Sequence, residues 1–499
     1  MALLPDPWQG DILVITSTAV PVAVQRSARW TLALAPIAFL MVTLDALVVI
    51  TALPAIHHDL GASLSTLEWT VNAYTLAYAA GIITAAALGD RFGRRRLFVI
   101  GLVMFSAASA ACALAPSVQL LIVFRALQGM GAAIIMPLSL TILTAAFPPE
   151  RRGAIIGLWG GIGGLAVAAG PLVGGAITQG LDWHWIFWVN VPIGLVAAVL
   201  SLVFLTESYG PATRLDLPAV GLVSGGALAL VWGLVQAGEA SGGWASARTL
   251  VSLGVGLLLL IGFVAWERRA PEPLLPLRLF RSRTFAAANA TGFLMVAALF
   301  GAAFLTAQYF QLGLGVSPLG TGVRILPWTA TPILVAPVAG VLSDRIGRRP
   351  VMVAGMLLQG VGLGWFALVA STSVAYGQLV LPLLVAGVGV SMALAATPTA
   401  VLSAVESADI GKASGANSTF QRFGSVFGVA VATAVFAANG ALNAPATFVS
   451  GYRPALALLA GLSLLGALAA LAVGSRQRLP KPDATQSLVP LGAEAMANK

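Results

Sequence analysis

The sequence is poor in the residues a water-facing protein needs. Only 9% of its 499 residues are charged, against about a quarter in a typical soluble chain. That scarcity excludes a soluble enzyme and a disordered chain, because too few polar side chains exist to cover a globule or to solvate a coil. A single cysteine, Cys112, excludes an internal disulfide and so a secreted disulfide scaffold; it lies in an apolar run and reads as a small core residue. The three histidines, His57, His58 and His184, fall in predicted outer loops without metal-binding spacing, so neither a metal nor any other cofactor is expected. What the chain has instead is apolar length: 58% of it comes from AVILMFWYC. This pattern describes a polytopic membrane protein. Its net charge of +9 is then a matter of topology before it is a matter of nucleic acid, which is not an expected partner.

Apolar runs of about 18 residues or more are long enough to cross a bilayer as helices. Fourteen are found, at 30–54, 67–88, 97–115, 119–141, 153–178, 185–206, 218–237, 249–266, 285–308, 325–342, 351–371, 377–403, 421–439 and 453–474. The expected fold is all-α, with 14 transmembrane helices in two six-helix pseudo-repeats and an inserted two-helix hairpin. In domain terms, 1–29 is a cytoplasmic leader, 30–206 an N-terminal six-helix bundle, and 207–284 the inserted helices 7 and 8 with a cytoplasmic loop. A C-terminal six-helix bundle follows over 285–474, then a cytoplasmic tail over 475–499. The leader has a weak apolar run but no basic n-region, so it does not read as a signal peptide.

Placing both termini in the cytoplasm puts 23 of the 27 Lys and Arg residues inside, as the positive-inside rule requires. Arg248, Arg324 and Arg453 fall outside, and Arg125 lies within a span; Lys412 and Arg422 are counted with an inner loop. An odd number of spans would invert every later loop. A multi-pass protein of the cell membrane is expected, functional as a monomer in the lipid bilayer.

The inner loops contain a repeat. Leu88-Gly-Asp90-Arg91-Phe-Gly93-Arg94-Arg-Arg96 follows span 2, and Gly340-Val-Leu-Ser-Asp344-Arg345-Ile-Gly347-Arg348-Arg349 follows span 10. Gly93 and Gly347 permit a positive-φ turn between antiparallel helices, and Asp90 and Asp344 can accept bonds from the clustered arginines. Such a charged latch can hold one arrangement of a bundle and release in another. The copies lie eight spans apart rather than six, which marks spans 7 and 8 as the insertion.

Asp45 is the most informative single residue. It is the only acid in the core of a predicted helix, where a carboxylate is costly unless it faces a wet cavity or is protonated part of the time. A proton-carrying site and a neutral packing device both satisfy that constraint. Arg125, the one basic residue buried deep in a predicted span, must find an anion, a carbonyl or water, and Gln128 shares its helix face. In span 5, Gly157, Gly160, Gly161, Gly164, Gly170, Gly174 and Gly175 leave one face almost without side chains, and Pro171 removes a backbone bond. Close packing alone would explain this face, as would a flexible contact that limits proton leak. Glu68 lies near the outer mouth of span 2 and reads more readily as a solvated helix-end residue than as a second protonatable group. Tyr74, Trp159, Trp185, Trp188, Tyr309, Phe310 and Trp328 offer stacking surfaces for flat substrates, while Trp183 and Trp185 suit an interfacial belt.

The repeated loop resembles the major facilitator superfamily signature, with Ala86 in place of the first copy's opening glycine. Further motifs are similar to those of its fourteen-span drug:proton antiporter branch, the EmrB/QacA-type multidrug exporters. They are Leu44-Asp45 through Ala52-Leu53-Pro54, Arg125-Ala-Leu-Gln128-Gly129-Met-Gly131, Gly170-Pro171-Leu-Val-Gly174-Gly175, the segment from Trp183 through Asn190 to Gly194, and Gln311 through Pro318. The resemblance implies proton-coupled efflux of small lipophilic drugs or antibiotics by alternating access, with protons as the second partner. It gives Arg125 a part in coupling and makes Gly170, Pro171, Gly174 and Gly175 the antiporter motif. Tyr74, Gln128, Asn190, Gln308 and Gln311 form the expected substrate pathway. Export of an endogenous secondary metabolite is an alternative within the same class, and a nutrient symporter a weaker one. An intramembrane enzyme would need a nucleophile–base or metal cluster, and the cores of the predicted spans hold one acid and no histidine.

Overall fold

The computed structural model describes residues 22–474 apart from 148, 211–215, 239–242, 244, 272, 274, 276 and 407–408. Most of the leader, the tail from 475 and Arg214 therefore lie outside the described residues. The first bundle is α1 (Val22–Leu60), α2 (Leu64–Phe92), α3 (Arg94–Ala113), α4 (Val118–Ala145), α5 (Pro149–Gly180), and α6 (Trp185–Trp188) continued by α7 (Asn190–Phe204). A hairpin of α8 (Leu217–Gly238) and α9 (Ala247–Glu267) follows. The second bundle comprises α10 (Arg283–Gln308), α11 (Pro318–Thr329) continued by α12 (Thr331–Ile346), α13 (Arg348–Val369), α14 (Tyr376–Leu402), α15 (Ile410–Asn439) and α16 (Pro445–Leu471). Twelve spans among the described residues are long and apolar enough to cross a membrane; α2, bent by 48°, makes a thirteenth if its two parts count as one. This is a multi-pass membrane protein.

The helix ends follow local chemistry. Ser63, Ser117, Ser246, Ser282 and Ser317 each accept a backbone N–H in the first turn of the helix they precede, satisfying a donor that no helical carbonyl can reach. Gly93 and Gly347 stop α2 and α12 at φ +108° and +99°, and α3 and α13 start at the next residue. Both are the turn glycines of the repeated loop, in the left-handed region that disfavours a side chain.

The two bundles repeat one packing plan. α1 packs on α5, α2 and α3 on α4, and α3 on α7; likewise α10 packs on α15, α12 and α13 on α14, and α13 on α16. The bundles meet along two seams, α5 against α11 and α2 against α15. The hairpin breaks this symmetry, because α8 lies against α2 and α15. There Ala227 and Val231 of α8 pack with Leu76, Val426 and Ala430, while Trp69 and Trp232 bring their rings to 5.5 Å.

Several helices start earlier than the apolar runs that mark them. α1 begins eight residues before position 30, and α15 begins eleven before 421. The stretch ahead of Gln421 is rich in Gly, Ser and Asn, which lowers its hydropathy without forbidding a helix. Arg422 is consequently not an inner-loop residue. It lies twelve residues into α15, on the wall of the central cavity.

Candidate functional site

Between the bundles lies a cavity of about 560 Å³. α1 contributes Phe39, Val42, Ala46 and Ile50; α2 adds Tyr74 and Tyr78. From the second bundle come Phe300, Trp328, Leu394 and Arg422, among others. The walls are almost wholly apolar, and Arg422 is the one charged residue lining them among the described residues. Phe39 is backed by Trp159, whose ring stacks on it at 3.8 Å.

Towards the end opposite the repeated loops, the bundles close on each other. A side chain at Gly175 would collide with the carbonyl of Pro318, and one at Gly322 with that of Pro171, so the α5/α11 seam is a backbone-to-backbone contact. Gly170 and Gly174 face α1 instead, where a Cβ would strike Leu47 and Thr51. The antiporter-like motif thus divides its glycines between two neighbouring helices. Gln311 donates to the Thr51 carbonyl at 2.8 Å, and Gln179 accepts from the Leu319 amide at 3.1 Å.

Asp45 and Arg125, 80 residues apart in sequence, meet in the first bundle. Arg125 Nη1 lies 2.7 Å from Asp45 Oδ2, and both side chains are 1% exposed. Gln128 donates to Asp45 Oδ1 at 2.9 Å and Asn190 to the same oxygen at 2.7 Å. The guanidinium also donates to Gln128 Oε1 at 2.6 Å and to the Thr70 carbonyl at 3.1 Å. Ser109 completes the net, accepting from both amides at 3.2 Å and donating to the Phe187 carbonyl. Both oxygens of the carboxylate thus face N–H donors, and the buried charges neutralise each other. Cys112 Sγ borders the cluster 3.8 Å from Gln128 Oε1, buried as a core residue.

Asp45 was expected to face a wet cavity or to be protonated part of the time; this conformation places it behind the cavity wall, in an ion pair. Tyr74 is the partition. Its ring lies 4.2 Å from the Arg125 guanidinium and its side chain lines the cavity. Of the expected pathway residues, Tyr74 alone is in the lining. Gln128 and Asn190 belong to the polar net, Gln308 is buried with its amide on the Phe304 carbonyl, and Gln311 joins the seam.

The aromatic candidates sort in the same way. Trp328 lines the cavity, whereas Tyr309 and Phe310 are buried within the second bundle, where Tyr309 stacks on Tyr452 at 4.5 Å. Trp185 is exposed on the outside. Trp183 is no belt residue: it is 3% exposed and donates to Asp59 Oδ2 at 2.9 Å.

Glu68 also departs from its expected place. It is 1% exposed, accepting from Asn72 at 3.0 Å and from Thr433 across the α2/α15 seam. Among the described residues no cation pairs with it. A solvated helix-end residue would be exposed; this carboxyl is a cross-bundle tie.

The repeated loops, alike in sequence, differ in contacts. In the first, Arg94 pairs with Asp90 at 2.7 Å, and Arg91 lies over the Phe92 ring on the surface. Glu207, from the segment after α7, accepts the Arg95 amide at 2.8 Å and the Arg96 amide at 3.3 Å, capping α3. In the second, Asp344 is exposed and makes no ion pair among the described residues. That corrects the expectation that both acids engage the arginines. A side chain at Gly340 would meet nothing within 4 Å, so its role in this conformation is not close packing. The sequence reading missed Glu207, whose signal was an isolated acid directly after span 6, and the mid-helix position of Arg422.

Known proteins agree with this architecture. The chain matches the model of the Major Facilitator Superfamily over residues 35–330 and 290–495. It is 38% identical over 415 residues to the tetracenomycin C resistance and export protein of Streptomyces glaucescens, covering 82% of this chain and 76% of that protein. It is 36% identical to the multidrug resistance protein Stp of Mycobacterium tuberculosis, covering 83% of this chain and 76% of that one. A probable actinorhodin transporter of Streptomyces coelicolor is 33% identical, with 82% and 72% covered. In fold, the chain superposes on a bacterial homologue of the human lysosomal transporter Spinster with a TM-score of 0.64 and 15% identity, covering 90% of this chain and 98% of that one. The chain belongs to the Major Facilitator Superfamily, and it is a transporter rather than an enzyme.

Proposed function

We propose that this protein exports small lipophilic drugs or antibiotics across the cytoplasmic membrane in exchange for protons. In this reading α2 and α5 are spans as well, making fourteen, with both termini and the arginine-rich loops in the cytoplasm. The cavity then belongs to an inward-facing state, sealed on the outside by the α5/α11 glycine contact and the Glu68–Thr433 tie.

One observation carries the reading: a fully buried Asp45–Arg125 pair separated from an apolar cavity by the single ring of Tyr74. All three N–H groups on Asp45 favour its carboxylate, so protonation must break the pair and free the guanidinium. Losing a partner from a buried ion pair costs about 3–5 kcal/mol, enough to shift a two-state equilibrium strongly. Because Tyr74 touches both the guanidinium and the cavity, cargo seated against the ring favours the paired, proton-free arrangement and disfavours the protonated one. That route makes proton and substrate occupancy interfere, as antiport requires. One proton per cycle supplies about 2.3 kcal/mol per 100 mV, roughly a fifty-fold gradient.

The export proteins among the relatives support this direction of transport. The names of the two Streptomyces proteins favour a second reading with the same machinery, in which the cargo is a metabolite the host makes itself. A resistance and accumulation panel across antibiotic classes, with and without the gene, tests the function. Reduced accumulation that recovers with an uncoupler is the expected result; accumulation unchanged by the gene for every compound contradicts it.

A further inference from the structure

Arg422 is a cation without a counter-ion in an apolar chamber. It lines the cavity, yet no carboxylate pairs with it among the described residues. Asp45 is taken up by Arg125, and Glu68 by Asn72 and Thr433. The Arg422 guanidinium lies 4.3 Å from the Tyr78 ring centre, and its one hydrogen bond among the described residues, to Tyr78 Oη, is long at 3.4 Å. Five N–H donors in a rigid fork are therefore held in place by an aromatic face and left almost unused. Gln421 lines the cavity beside it, and Tyr74 and Phe300 offer apolar ring faces.

From this arrangement we infer that the cavity is a site for flat aromatic anions, with a carboxylate or phenolate of the cargo seated on the Arg422 fork and its rings among Tyr74, Tyr78 and Phe300. A carboxylate matches the guanidinium bidentately, and the low-dielectric walls strengthen that bond. The same charge repels lipophilic cations, which find no acid in the lining. Specificity thus includes a repulsive element as well as an attractive one. The inference rests on the transport reading and narrows its substrate class. It also changes the energetics: outward movement of a monoanion in exchange for one inward proton carries two charges with the membrane potential, so the potential drives the cycle more strongly than for a neutral cargo.

Equilibrium dialysis of the full chain in detergent, with three flat probes of similar size, tests this. The probes are an anthraquinone carboxylate, its neutral methyl ester and ethidium. The wild type should bind the carboxylate about tenfold tighter than the ester, as expected for a charge-assisted bond, and ethidium weakest. Arg422→Gln should lower carboxylate affinity to the level of the ester, leave the ester within about twofold, and admit ethidium; Arg422→Lys should keep part of the preference. Ester binding doubles as the control for folding. Equal affinity for carboxylate and ester in the wild type, or a preference for ethidium, overturns the inference. So does a loss of carboxylate and ester affinity by the same factor in Arg422→Gln, which would reduce Arg422 to a shaping residue. Vesicles carrying a pH gradient separate this outcome from the transport reading. Charge-selective binding without proton-driven movement of the carboxylate would sink antiport and leave the site standing, whereas antiport of ethidium would do the reverse.

Discussion

The two bundles share a packing plan and differ in chemistry. In the first, three charged side chains among the described residues, Asp45, Glu68 and Arg125, are buried within helices, and the turn after α2 is held by Asp90–Arg94 and the Glu207 cap. In the second, the corresponding interior holds stacked aromatics around Tyr309 and Tyr452, the buried Asp409 sits at the start of α15 paired with Arg278, and Asp344 stands exposed. A repeat that preserves packing while dividing ionic from aromatic interiors separates two tasks. In the proposed cycle one bundle responds to a proton, while the other presents Trp328, Phe300 and Arg422 to the cargo.

Breaking the ionic side should have the largest effect. Arg125→Leu leaves the Asp45 carboxylate buried and unpaired, and about 3–5 kcal/mol of destabilisation is expected, read as a lower Tm of the protein in detergent. Adding Asp45→Asn to it should recover most of that loss, because neutral partners need no counter-charge; a double variant no more stable than the single one would contradict the pairing.

Next in size is the seam where the bundles meet. Gly175→Leu places a side chain against the Pro318 carbonyl, and overpacking of that kind costs about 1–3 kcal/mol. The variant should fold, bind cargo and fail to seal the outer side, so that a thiol reagent labels a cysteine introduced at Thr51 faster than in the parent chain. Unchanged labelling would show that the seam tolerates the bulk.

The loops give a smaller contrast. Glu207→Gln removes a charged cap and two ion contacts from α3 and should lower stability by about 0.5–2 kcal/mol, whereas Asp344→Asn should leave Tm unchanged. Because Asp344 makes no ion pair among the described residues, Asp344→Asn should instead alter the rate of exchange between states, seen as slower transport at equal binding. The smallest effect is expected at Glu68, where Glu68→Gln retains bonding to Asn72 and Thr433; binding should be within about twofold of the parent, and a complete loss would move Glu68 into the cargo site.

Much of this was legible in the sequence, for identifiable reasons. A helix lies over every predicted apolar run, since twenty apolar residues have few other options in a bilayer. Asp45, Arg125, Gln128 and Asn190 stood out as polar residues in apolar helices. Their assembly did not, because Asn190 lies 145 residues from the carboxylate it donates to. Arg422 was misread since the helix around it is polar ahead of Gln421, and low hydropathy marks a cavity-facing helix and a loop alike. Glu68 was misread for a related reason: position along a helix does not reveal that a neighbouring helix covers it.

In the proposed cycle Asp45 gives up its proton when cargo binds and recovers it when cargo leaves. The most direct measurement is proton release on addition of cargo to the purified protein in weakly buffered detergent solution. It is made near the pH where the cargo-free protein is half protonated, with an anthraquinone carboxylate and its methyl ester as cargoes. The account predicts release of up to one proton per bound molecule in the wild type and none in Asp45→Asn, which should still bind. It predicts reduced release with a shifted pH profile in Asp45→Glu. Undiminished proton release by Asp45→Asn would contradict it.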